Sequence, residues 1–211
     1  MRRREFLTLI SGAVAWPLAG RGEQSGRLPT IGVLWHAGNE QEEAPYLGAF
    51  RQGLNDLGYV ESKNFVLENR FAAERYERFK ELAADLVRLN VDVLVAVTRP
   101  AALAAQGATT TIPVVFILVP DPVASKLVNS LARPGRNITG VSQIAFDLIS
   151  KRLQLLKETV TDLSSVAVLV NPNDPDDARR YSEEVRAAAA SLNVAKGVVR
   201  AGHAHTGANL H

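Results

Sequence analysis

Between residues 30 and 119, short apolar runs alternate with amphipathic stretches so regularly that few folds can satisfy the pattern. The runs 31–35, 65–71, 91–97 and 112–119 are rich in Val, Ile, Leu and Phe. They are too short for buried helices and suit strands. Run 112–119 is apolar throughout, as expected of a strand covered on both faces of a parallel sheet. Between the runs, residues 46–57 carry Tyr46, Phe50, Leu54 and Leu57 at helical spacing, closed by Gly58. Residues 76–89 repeat the device with Tyr76, Phe79, Leu82, Ala83, Leu86 and Leu89, and an alanine-rich helix follows Thr98-Arg99-Pro100. Strand–helix alternation at this spacing predicts a parallel sheet with right-handed crossovers and helices on both faces.

The fourth run ends at Pro120-Asp121-Pro122. Asp121 is placed to cap a helix over 121–133, with Pro122 at its first position and Pro134-Gly135 ending it. Leu127, Val128 and Leu131 are the expected buried face of that helix. After Gly140 the pattern restarts, with a helix predicted over 146–160, a strand over 166–170 and a turn at Asn171-Pro172-Asn173-Asp174-Pro175. A helix marked by Ala178, Tyr181, Val185, Ala188 and Leu192 follows, then a strand over 194–200. One helix–strand–helix–strand unit cannot cover both faces of its own sheet, so this second unit reads as incomplete. Residues 201–211 lack periodicity and read as an unstructured tail.

Composition narrows the chemistry. With no cysteine among 211 residues, disulfides, thiolate metal sites, cysteine nucleophiles and a lipid-anchoring cysteine are all excluded. Arg2, Arg3, Arg4 and Arg21 outnumber Glu5 and Glu23 by two, which is the whole formal charge of +2; the body is neutral and carries no nucleic-acid footprint. The basic start, the apolar stretch 6–15 and the break at Trp16-Pro17 predict an export signal over 1–24. Arg3-Arg4-Glu5-Phe6-Leu7 fits the twin-arginine pattern. No G-x-S-x-G, P-loop or strand-borne G-x-G-x-x-G is present, so hydrolase, nucleotidase and dehydrogenase readings lack their first element. His203, His205 and His211 lie in the tail and are not expected to hold a metal.

Residues 28–193 carry a resemblance. AFRQGLNDLGYVE (49–61), ELAADLV (81–87), PAALAAQGAT (100–109), TIPVVF (111–116), DPV (121–123), SLARPGRNITGVS (130–142), KRLQLLKE (151–158) and VLVNPNDP (168–175) occur in order. Together they resemble the periplasmic substrate-binding proteins of ATP-binding-cassette transporters, in the family whose ligands include aromatic amino acids. The resemblance implies an α/β fold of two Rossmann-like lobes with parallel sheets flanked by helices, the type I periplasmic-binding arrangement. It also implies a ligand cleft between lobes 25–140 and 141–200, no catalysis and no cofactor. The implied partners are a small-molecule ligand and an inner-membrane permease, with a monomeric, exported protein. Three features depart from the family pattern: the tail, Arg136 where the family has a second glycine, and Thr98-Arg99 in a loop usually rich in Gly or Ser.

Turns at strand carboxyl ends mark the expected cleft: Trp35 and His36, Thr98 and Arg99, Asp121 in the first lobe, and Asn171, Asn173 and Asp174 in the second. Helix N-termini there would offer unpaired N–H groups to a carboxylate. Arg99 reads either as a bidentate carboxylate clamp or as a solvated arginine, and Trp35 either stacks on a ligand or packs on the rim. The expectation is a small carboxylate-bearing solute such as an amino acid. Two other classes compete: a periplasmic sensor acting on a membrane receptor, and an α/β enzyme using Asp121 or Asp174. A shortened paralogue without function is the remaining alternative.

Overall fold

The structure is a computed structural model that describes residues 27–171 and 174–200. The expected export signal, Asn173 and the tail therefore lie outside the described residues.

Strands β1 (Thr30–Trp35), β2 (Val66–Phe71), β3 (Val93–Val97), β4 (Val114–Val119) and β5 (Ile138–Ser142) form one sheet in the order β2-β1-β3-β4-β5. Every pairing is parallel, so each crossover brings the chain back across the sheet and all strand tips share one edge. Alternation along β1 divides the core. Val33 and Trp35 join Leu47, Val95 and Val97 beneath helix α1 (Ala44–Asp56). Leu34 points the other way, into a larger cluster with Phe79, Leu82, Leu86, Leu94 and Phe116 under α2 (Arg78–Arg88) and α3 (Arg99–Ala108). Helices thus cover both faces, as the sequence predicts.

The α1 face differs from expectation. Leu47 is buried and Phe50 packs beside it, whereas Tyr46 and Leu57 are exposed. The stripe thus begins at Leu47 in place of Tyr46, keeps Phe50 and the partly buried Leu54, and stops before Leu57. A larger correction concerns residues 121–133, where no helix forms. Asp121 does cap a turn, accepting from the Ala124 N–H at 2.9 Å, and Ser125 N–H donates to the Asp121 carbonyl. Lys126 then adopts a left-handed φ of 57°, and Leu127 and Val128 N–H groups both turn back to the Pro122 carbonyl. That reversal buries Leu127 and Val128 in the core after a single turn and leaves Leu131 exposed. Beyond it, Gly135 (φ +81°) carries the bend, since a Cβ there would sit 2.1 Å from Asn129 Nδ2, while Arg136 is exposed.

β5 closes the first sheet. Gly140 lies against β4, where a Cβ would meet the Phe116 carbonyl oxygen at 2.0 Å, so only glycine fits. Asn137 steers the chain into this strand by donating to the Ile112 carbonyl at 2.7 Å. Beyond β5, helix α4 (Ile149–Thr159), β6 (Ser165–Val170), α5 (Pro175–Ser191) and β7 (Ala195–Arg200) make the second unit, with β6 and β7 paired in parallel. Phe146, Ile149, Leu153, Val168, Val170 and Val185 form its core. Val168 and Val170 face that core, whereas Leu169 on the opposite face of β6 is 69% exposed. The second sheet is therefore covered on one face among the described residues.

Candidate functional site

Strand order reverses between β1 and β3, the switch point at which open α/β sheets leave a crevice outside their strand tips. The β1 tip continues into His36 and Ala37, and the β3 tip into Thr98 and Arg99. Thr98 holds φ 86° and ψ 161°, a region populated almost solely by glycine, and its buried Oγ1 has no hydrogen-bond partner. Its N–H is tied to the Ile117 carbonyl at 3.0 Å, so the strained turn aims Arg99 away from the sheet.

Arg99 crosses to the second unit. Its guanidinium forks onto Asp174, with Nε donating to Oδ2 at 3.2 Å and a second N–H donating to Oδ1. Both side chains are largely shielded, at 15% and 10% exposure. Burial alone would lower the Arg99 pKa, but the Asp174 hydrogen bonds and charge outweigh it and raise the value. Asp174 meanwhile caps α5 by accepting from the Asp177 N–H at 3.2 Å. A helix terminus that could have attracted a ligand carboxylate is thereby occupied by the chain's own.

A reciprocal bridge runs the other way. Arg180 of α5 reaches Asp121 at 2.6 Å and lies over the Phe146 ring, 4.4 Å from its centroid. Burial pushes the Asp121 pKa up, but the Ala124 N–H and Arg180 overcome this and hold it below the usual carboxylate range. Asn171 donates to the Tyr76 hydroxyl at 3.0 Å, linking the β6 tip to the turn after β2. Burial, reinforced by Asp174, pushes the Tyr76 phenol up to about 12. Between these bridges lies a cleft of about 430 Å3, walled by Arg99, Asp121 and Ser125 on one side and by Phe146 and the first half of α5 on the other.

Of the expected residues, Arg99 and Asp121 line this cleft; Asp174 is joined to it through Arg99, and Asn171 and Thr98 lie outside its lining. Trp35 is not on its surface: only 2% exposed, it packs in the α1 cluster and donates to Asn69 Oδ1 at 2.8 Å. His36 sits at the β1 tip with Nδ1 3.1 Å from the buried Glu43 carboxylate and 3.3 Å from Glu74. Sequence reasoning missed Tyr76, Phe146, Arg180 and Asp177. Tyr76 and Phe146 sit at apolar positions of predicted helices, which points to the core, and Asp177 and Arg180 carry no motif. The i, i+3 spacing of Asp177 and Arg180 was the available sign that one α5 face is charged. Among the described residues no cluster of potential metal ligands occurs, and no helix is long and apolar enough to cross a membrane.

Two α/β units presenting strand tips to a shared cleft define the type I periplasmic-binding class. Solved structures of that class superpose on the chain. A conserved domain protein from Vibrio cholerae matches with a TM-score of 0.71 and 32% identity, covering 83% of this chain and 58% of its own. A domain from Streptococcus pneumoniae solved in complex with L-Trp matches with a TM-score of 0.71 and 23% identity, over the same shares. A tyrosine-binding protein of Clostridioides difficile is 31% identical over 125 residues, 59% of this chain and 36% of that protein. The chain belongs to the ABC transporter substrate binding protein family, whose model matches residues 41–201. It spans little more than half the length of the first of these solved relatives and about a third of the tyrosine-binding protein.

Proposed function

We propose that this protein is the solute-binding component of an ABC importer, which holds a small organic ligand between its two units and presents it to an inner-membrane permease. The observation that carries this reading is the cleft itself: about 430 Å3, at the carboxyl tips of β3 and β4, with polar groups of both units converging on it. That volume falls within the roughly 300–1,000 Å3 typical of small-molecule sites. Ligand contacts made to both units at once favour the closed arrangement, which is the signal a permease reads. The ligands in the names of the relatives, tyrosine and L-Trp, support an amino acid or a similar carboxylate-bearing solute. In this reading the protein works as an exported monomer behind its twin-arginine leader, without catalysis. Asp121 and Asp174, the carboxylates an enzyme would use, are each engaged by an arginine. Native mass spectrometry of the exported protein tests the proposal. A stoichiometric small-molecule adduct is expected; a folded protein that stays bare after incubation with all amino acids would contradict it.

A further inference from the structure

Charge in the cleft is unevenly spent. Arg99 is neutralised by Asp174, and Arg180 by Asp121. Arg179 lies 3.5 Å from Asp176 and 3.9 Å from Glu183. Asp177 and Glu184 also line the cleft, and neither has an ion-pair partner among the described residues. They stand seven residues apart on α5, two helical turns, and so share its cleft-facing stripe. The aromatic wall states a preference of its own: the Phe146 face already receives the Arg180 guanidinium, and ring faces attract cations through their quadrupole. Surplus carboxylates and a cation-receptive ring are independent features of one cavity.

We infer that the cleft selects an organic solute with surplus positive charge, an amine or guanidinium compound such as a basic amino acid, held by Asp177 and Glu184 beside Phe146. The inference rests on the reading that this cleft is the ligand site. Burial and the neighbouring Asp174 raise the Asp177 pKa, and the charges of Arg99 and Arg180, which pull it down, do not offset them. Nothing in the pairing leaves a free cation to receive a dianionic ligand, since Arg99, Arg179 and Arg180 each face an acid of this chain.

Isothermal titration calorimetry with L-arginine, its uncharged-side-chain isostere L-citrulline, L-tryptophan and succinate tests this directly. L-Arginine is expected to bind at least tenfold more tightly than L-citrulline, and Asp177→Asn to reduce that ratio below threefold. Glu184→Gln should narrow it in the same direction, which guards against a folding defect in one variant. L-Citrulline or L-tryptophan binding as tightly as L-arginine would overturn the charge preference and leave the solute-binding reading standing. Failure of all four probes to bind would overturn the preference; with a bare protein in native mass spectrometry, the solute-binding reading would fall too.

Discussion

Thr98 occupies a backbone region that a β-branched residue rarely enters, and its hydroxyl is buried without a partner. Such strain costs about 1–3 kcal/mol and persists where the surroundings over-determine the geometry. Thr98→Gly is therefore expected to stabilise the protein by about 1 kcal/mol after the added flexibility of the unfolded chain is set against the relief. Urea unfolding measures this, and a loss of stability of similar size would show the turn is not strained. Tyr76 makes a second residue-scale prediction. Its phenol is raised from the model-compound value of 10.0 to about 12. The unfolded chain would release that proton first, so stability is full below pH 10 and declines as pH rises from 10 toward 12. Absorbance titration should find one tyrosine ionising after the others, and Asn171→Ala, which removes its hydroxyl's partner, should leave that late step in place because burial is its main cause.

Helix α2 shows what a sequence can and cannot announce. Its stripe of Phe79, Leu82, Ala83 and Leu86 is the buried face, because a continuous 3.6-residue period leaves one orientation against the sheet. Leu86→Ala removes a fully buried side chain and should cost about 2–5 kcal/mol, read from the urea midpoint. A cost below 1 kcal/mol would mean that the sheet face is not packed as described. The four strands before residue 120 were equally legible, since their apolar runs are too long for turns and too short for helices. Residues 121–133 were not, although Asp121 and Pro122 are good helix openers. The chain instead reverses at Lys126, so Leu127 and Val128 reach the core after a single turn and Leu131, which a helix would bury with them, stays exposed. Trp35 was ambiguous for a related reason: strand alternation puts it in the core as readily as on the rim, and Asn69 on the neighbouring strand decides the matter.

At the scale of the whole molecule, polar contacts join the two units at the strand tips among the described residues: Arg99 to Asp174 and Asp176, Arg180 to Asp121, and Asn171 to Tyr76. The first is shielded enough that deleting one partner of such a pair typically costs about 3–5 kcal/mol. The second is about a third exposed to solvent and contributes roughly 0–1 kcal/mol. Polar latches that compete with water suit a cleft that opens, whereas an apolar seam would hold it shut. Because the chain has no cysteine, Lys80→Cys on α2 and Lys151→Cys on α4 create the only two thiols for spin labels, both at exposed positions. The distance distribution between them, recorded by pulsed electron resonance with and without the ligand recovered from the exported protein, tests closure most directly. Closure predicts a broad distribution that shortens and narrows on ligand addition, and that broadens in Arg99→Ala. An unchanged distribution at saturating ligand would contradict it.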